Sequence, residues 1–328
     1  MKYLFPYLCL LIFISLTTYA KLTSEIIFIP DRLKHLWVTR INDTDNASLF
    51  FEEDPVLDSI WALSVQRDGP LIVIIADPKE NSPFEHEAYL VDTTEFPAKA
   101  RKLTHHRFDD VPYISISPNG DIVFINVLVD DGDPPPRFGI YFISHRELNN
   151  ASPKIILLKE VIARDVIWSP DNEHIAYTSA EGIFVFNIKT EKILHVSQIG
   201  GTPVFSPDGK KLAFSSRGWG FANRVAREIR IVSFPALRPL RTIKGLIKHS
   251  RFTDLKWSPN GKYIIYNATD ERGYHHIAVP LSGDQHEEIL NEIDMYVYDF
   301  DWSSSAYAVE PENRLTTLWG KLKTENTK

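Results

Sequence analysis

Phe205-Ser206-Pro207-Asp208-Gly209 leads straight into the apolar run Lys211–Ser215, and the same phrase returns along the chain. It reads Ile116-Ser117-Pro118-Asn119-Gly120, Trp168-Ser169-Pro170-Asp171-Asn172 and Trp257-Ser258-Pro259-Asn260-Gly261. A degenerate copy, Trp302-Ser303-Ser304-Ser305, stands near the end, and Leu63-Ser64-Val65-Gln66-Arg67-Asp68-Gly69 is a stretched one near the start. Each part has a local reason. A bulky apolar residue ends a strand, proline presets the first corner of a type I turn, Asp or Asn tolerates the second, and glycine takes the left-handed step that follows. The next strand comes at once: Ile122–Val129, His174–Thr178, Lys211–Ser215 and Lys262–Asn267.

The phrases start at positions 64, 117, 169, 206, 258 and 303, so they are spaced by 53, 52, 37, 52 and 45 residues. Units of about 40 to 50 residues holding three or four short strands are the blades of a β-propeller. The spacing predicts an all-β, six-bladed β-propeller with blades at about 58–110, 111–161, 162–200, 201–250 and 251–291. The sixth is expected to join strands of residues 21–52 to residues 296–323, so that the N- and C-terminal strands share one blade and no sheet edge is left open. Nothing of linker composition interrupts residues 21–328, which predicts a single domain.

Met1–Ala20 carries one lysine, the apolar run Leu4–Leu16 and Thr18-Tyr19-Ala20. That is the layout of a cleaved secretory signal peptide, with an uncleaved anchor as the alternative. Cleavage would remove Cys9, the chain's one cysteine, which excludes a disulfide framework and suits a bacterial periplasm or secretion to the medium. No other stretch is long and apolar enough to span a membrane after cleavage. The net charge of −7 argues against nucleic acid as a partner, because phosphate binding needs a basic surface. Nothing in the sequence calls for an oligomer, and a monomer is expected.

The Ser-Pro-Asp-Gly phrase, the repeat length and the export signal resemble the TolB-like, WD40-like propeller repeat family over about residues 60–323. Leu315–Lys323 is similar to the closing strand of such propellers. The resemblance implies the fold and the repeat, and it names no activity. Only about 40 residues precede the first full blade, too few for the α/β domain that TolB itself carries in front of its propeller.

In a four-stranded antiparallel blade the a–b and c–d turns share one face, and the b–c loops and d-to-a crossovers share the other. The phrases are tight a–b turns, whereas Asp77–Glu87, Asp130–Phe138, Arg217–Arg227 and Asp270–His275 read as long b–c loops, so function is expected on the b–c face. Counting back four residues from each phrase's serine gives Ile60, Tyr113, Asp165, Thr202, Asp254 and Asp299. Three carboxylates at one repeat position predict a charged channel mouth, with Arg107, Asp110, Arg164 and Arg251 close by in sequence. It would bind a small polar ligand or cation; the alternative is a set of aspartates that tie adjacent blades together. Trp219, Phe221 and Arg224 lie on a loop rich in aromatics and arginine, the composition of a partner-binding hot spot. Asp131 and Asp133 are weak candidates for holding Ca2+, since the loop lacks the full ligand set of a calcium loop. No other cofactor is expected. His105-His106 and His275-His276 are adjacent pairs, whose side chains point to opposite faces of a strand. No Gly-x-Ser-x-Gly or His-Glu-x-x-His occurs. The sequence therefore favours a non-catalytic protein-interaction scaffold, with a metal-dependent hydrolase of lactonase type or a small-ligand sensor as the alternative.

Overall fold

The computed structural model describes residues 26–30, 36–40, 43–51, 57–78, 86–95, 99–104, 111–126, 138–216, 228–244, 251–271, 273–283, 285–289 and 299–303. They form twenty-four strands in six four-stranded antiparallel sheets, with one 3₁₀ turn at His145–Glu147. Sheet 1 holds β4 (Leu57–Val65), β5 (Leu71–Pro78), β6 (Glu87–Asp92) and β7 (Ala100–Lys102). Sheet 2 holds β8 (Tyr113–Ile116), β9 (Ile122–Asn126), β10 (Gly139–Ile143) and β11 (Ile155–Glu160). In sheet 3 are β12 (Ala163–Trp168), β13 (His174–Ser179), β14 (Gly182–Asn187) and β15 (Ile193–Ser197). Sheet 4 has β16 (Gly201–Phe205), β17 (Lys211–Ser215), β18 (Ile229–Ser233) and β19 (Pro239–Ile243). Sheet 5 has β20 (Arg251–Trp257), β21 (Tyr263–Asp270), β22 (Gly273–Pro280) and β23 (Glu287–Ile289). Sheet 6 combines β1 (Ile26–Pro30), β2 (Leu36–Arg40) and β3 (Asp43–Phe51) with β24 (Asp301–Ser303), in the order β24-β1-β2-β3. The first strand of each sheet, with β24 in sheet 6, packs in succession about a central channel, and the fold is an all-β propeller.

The phrase does what its chemistry predicts. Gly209 N donates to Ser206 O at 2.8 Å, and Ser206 N donates to Lys211 O at 2.9 Å, which closes the turn and starts the ladder of β17. The serine hydroxyl accepts from Lys211 N at 2.9 Å and donates to Asp208 at 2.5 Å. Ser258 repeats both bonds with Tyr263 N and Asn260. Gly120, Gly209 and Gly261 sit at φ 88°, 67° and 68°, in the left-handed region where a Cβ is costly. Asn172 takes the same step at φ 59°, which asparagine tolerates better than most residues.

In sheet 1 the register differs from the sequence reading by two residues. Gln66, not Ser64, occupies the serine's place: Gln66 N donates to Leu71 O at 2.8 Å, and Gln66 Oε1 accepts from Leu71 N at 3.2 Å. The position four residues before it is Ala62, and Ile60 is a fully buried core residue. Asp270–His275 is no loop either, because Asp270 pairs with Gly273 in a tight hairpin of β21 and β22.

The core is a series of apolar joints between sheets, each about the thickness of two packed sheet faces. Val73, Ile75 and Leu90 of sheet 1 meet Ile114, Ile122 and Phe124 of sheet 2. Val123, Ile125 and Ile140 meet Val166, Trp168 and Ile175 of sheet 3. Ala176 and Val185 meet Phe205 and Leu212 of sheet 4, and Ile229 and Ile231 meet Leu255, Trp257 and Ile264 of sheet 5.

Candidate functional site

A cavity of about 390 Å³ occupies the channel. Its wall is two tiers of side chains from the inner strands. The tier four residues before each turn is Ala62, Tyr113, Asp165, Thr202, Asp254 and Asp299, and the tier two before is Ser64, Ser115, Ile167, Val204, Lys256 and Asp301; all twelve line the cavity. Period-two alternation puts both tiers on the channel side of their strands.

The three carboxylates read at one repeat position, Asp165, Asp254 and Asp299, are in this wall, and each is engaged. Asp165 accepts from Thr202 N of the next sheet at 3.0 Å. Asp299 accepts from Leu63 N across the sheet 6–sheet 1 joint at 3.3 Å and from Phe300 N at 2.8 Å. Asp254 accepts from Leu255 N at 2.7 Å. Asp165 and Thr202 stand at irregularities in the pairing of their strands, with φ of 54° and 49°. A β-bulge there turns the chain inward, and aspartate suits the left-handed step. The repeated aspartate thus has a job in the backbone before any ligand is considered.

Lys256 is the residue the sequence reading passed over. Its ammonium lies 3.2 Å from Asp299 and 3.3 Å from Asp254, and 5.8 Å from the centre of the buried Phe300 ring. Burial alone would pull the lysine pKa down, but Asp299, Asp254 and Asp301 more than offset it and hold the pKa above the ordinary range. For Asp254 burial wins: its pKa is raised from 3.8, against the attraction of Lys256 and with the repulsion of Asp299 adding to the rise. Asp301 accepts from Val65 N at 2.9 Å. Ser64 and Ser115 make the equivalent bond to the next sheet, accepting from Ile116 N at 3.3 Å and Trp168 N at 3.1 Å. Continuing the count from four residues to two would have found this tier in sheets 2 to 6, but not Ser64 of sheet 1.

Beside the phrase turns the channel is lined by Pro170, Pro207 and Pro259, and Arg67 stands where four of the other phrases carry proline. Arg67 Nη1 donates to Pro207 O of sheet 4, three sheets away, while its Nε lies 3.8 Å from Asp68.

Of the other predicted residues, Arg164 lies on β12 paired with Thr178 and does not line the cavity. Arg251 is placed only as a backbone position at the start of β20. Arg107, Asp110, Trp219, Phe221, Arg224, Asp131, Asp133, His105 and His106 lie outside the described residues. His275 and His276 point to opposite faces of β22, as the strand requires: His275 meets Glu288 at 2.8 Å and His276 meets Asn267 at 2.8 Å. At the outer lip of sheet 1, Ser59 and Trp61 Nε1 donate to Asp77 at 2.5 and 2.7 Å, and the His86 ring lies edge-on to Trp61. Among the described residues no three His, Cys, Asp or Glu side chains gather into a cation site, and no helix is long and apolar enough to cross a membrane.

Comparison with known proteins agrees with this geometry. A Tol-Pal system protein TolB from Alcanivorax borkumensis is 45% identical over 56 residues, which is 15% of this chain and 13% of that protein. A TolB structure from Agrobacterium tumefaciens superposes with a TM-score of 0.55 at 16% identity, covering 80% of this chain and 87% of the other. The fold is that of the TolB-like β-propellers. A chain of a nidogen/laminin complex superposes with a TM-score of 0.61 at 12% identity, over 86% of this chain and 98% of that one. A periplasmic gluconolactonase from Pseudomonas aeruginosa does so with a TM-score of 0.50 at 12% identity, over 80% and 81%. Such low identities bear on the fold alone. No family model matches the chain.

Proposed function

We propose that this TolB-like chain is an exported protein-interaction module. In this reading Met1–Ala20 is a signal peptide, and residues 21–328 form one domain, a closed six-bladed ring whose sixth blade is shared by both chain ends. The ring works in the periplasm or outside the cell, as a monomer and without a resident cofactor, and docks a protein on its b–c face. The observation that carries this reading is the contrast between the two faces. On one, the turns are tight phrases and Arg67 reaches across to Pro207 O. On the other lie the long connections, residues 79–86, 127–138 and 216–228 between b and c strands, and 103–112, 244–250 and 290–300 between sheets. A rigid disc with one elaborated face is built to present loops. Asp165, Asp299 and Asp301 support the docking reading as well, since they are bonded to neighbouring sheets.

The test is capture of a partner by the immobilised mature chain from a solubilised envelope extract, identified by mass spectrometry and confirmed with the purified partner. One stoichiometric partner is expected, with affinity falling at least about tenfold for Trp219→Ala combined with Phe221→Ala, as for hot-spot aromatics. Calcium-dependent turnover of lactones with no partner retained would overturn the proposal in favour of an enzyme.

A further inference from the structure

The turn phrase of sheet 3 is wired differently from those of sheets 4 and 5. In those two sheets the serine hydroxyl accepts from the amide five residues on and donates to Asp208 or Asn260. In sheet 3 Asp171 takes over that amide. Its Oδ1 accepts from His174 N at 3.1 Å and from Glu173 N at 2.9 Å, and its Oδ2 meets Nδ1 of the His174 ring at 2.7 Å. Ser169 is left with a buried hydroxyl that has no partner among the described residues. An unpaired buried hydroxyl costs stability, so the aspartate serves the histidine at the serine's expense.

The other side of the ring decides what this histidine can do. His174 opens β13 and pairs with Asn187, which closes β14. Nε2 of the ring lies 2.9 Å from Nδ2 of Asn187. An amide nitrogen only donates, so Nε2 is the acceptor, and the proton of the neutral ring sits on Nδ1 against Asp171. The amide's oxygen fixes its orientation in turn. Asn187 Oδ1 accepts from Lys189 N at 3.0 Å and from Thr190 N at 2.8 Å, and these two bonds tie the c–d turn of residues 187–192. Asn187 N closes that turn by donating to Lys192 O at 2.9 Å. From Asp171 to the turn, every donor meets an acceptor only while the imidazole is neutral.

We infer that His174 is a proton-operated latch: uptake of a proton at Nε2 breaks the bonds of Asn187 to Lys189 N and Thr190 N and loosens the c–d turn of sheet 3. The new N–H faces the N–H of Asn187. Turning the amide over to accept it sets Nδ2 against the two turn amides, donor against donor. Among the described residues the charged groups about the ring are Asp171 from the a–b turn, Glu173 beside it on the strand and Lys189 from the c–d turn. The last two are paired with each other at 2.7 Å, which leaves Asp171 to hold an imidazolium. Sheet 4 brings the uncharged Phe234 ring, edge-on at 5.1 Å between centroids. The His174 side chain is 24% exposed, so solvent protons reach it, and histidine changes charge between about pH 5 and 8. The latch is independent of the docking function proposed above.

The test follows hydrogen exchange of the Lys189 and Thr190 amides by NMR in the purified chain, corrected for the intrinsic effect of pH, together with the ring signals of His174. Between about pH 8 and 5 the protection of both amides should fall at least about tenfold as the ring titrates, the scale of one lost hydrogen bond. The ladder amides of β13 and β14 should keep theirs, because the opening is local. His174→Gln should remove the response. Asn187→Asp should remove it as well and keep the turn tied, since a carboxylate accepts from the imidazolium and from the turn amides together. Amides that stay protected while the ring titrates would overturn the inference, and so would a ring that stays neutral down to about pH 5. Loss of protection that persists in His174→Gln, or that Asn187→Asp fails to prevent, would do the same. The unaltered chain decides the matter even where a variant does not fold.

Discussion

The two halves of the channel wall are built from the same strand position and carry different side chains. From sheet 1 to sheet 5 each joint is an apolar cluster, and the inner tiers add neutral links: Ser64 to Ile116 N, Ser115 to Trp168 N, and Trp257 Nε1 to Val204 O at 3.1 Å. Only Asp165 brings a charge to that half. Around β24 the wall is ionic, with Lys256 held between Asp254 and Asp299, and with Asp299 and Asp301 accepting from the backbone of β4. The difference follows from how each sheet is made. Sheets 1 to 5 are consecutive hairpins whose strands bring broad apolar faces, whereas β24 contributes three residues, Asp301–Ser303. So short a strand buries little area, and charge-assisted bonds hold more per residue than neutral ones.

Substitutions can break this comparison, and Asp165→Ala should cost most. It removes the bond to Thr202 N and leaves a non-glycine residue without its carboxylate in the left-handed region, at about 2–3 kcal/mol. Combined with Asp254→Ala it should lower the melting temperature rather than act on ligand binding alone. Lys256→Met comes next. It leaves Asp254 and Asp299 facing each other on the channel wall, and because the Asp254 side chain is 39% exposed the loss is expected at about 1–3 kcal/mol, below that of a fully buried ion pair. Chemical denaturation would measure it, and a loss equal to that of an ordinary surface lysine would show that charge is incidental to the joint. Ser115→Ala should cost about 1–2 kcal/mol by leaving Trp168 N without its acceptor. Asp254→Asn is the mildest and the most telling. Because the folded pKa of Asp254 is raised, its contribution is fully present below about pH 4 and is lost as pH climbs through the raised value. The asparagine variant should therefore gain stability relative to the parent as pH rises above about 4. A difference that stays flat with pH would contradict the raised pKa.

Most of the architecture was legible because turn chemistry is local: Ser, Pro, Asp and Gly announce their bonds within five residues. Sheet 1 escaped by two positions because Gln66 reaches with a longer side chain to the amide a serine hydroxyl would take. The aspartates at the channel were legible as a repeat position, and their role as ties was foreseen as the alternative. Lys256 and Asp301 were hidden by the absence of a repeat at their position, where the other sheets carry Ser, Ile or Val. Arg67 could not be read at all, since its bond to Pro207 depends on the width of the channel.

The pairing of β24 with β1 also fixes how the molecule meets mechanical load. Ile26 faces Ser303 and Phe28 faces Asp301, so the chain enters β1 and leaves β24 at the same rung. Tension between the two flanking segments would fall on that rung first and then on the next, because ladder bonds lie across antiparallel strands. The sheet would peel open like a zipper instead of resisting in shear. Beyond the last rung, the ionic contacts of Asp299 and Asp301 would be the final clasp to give way.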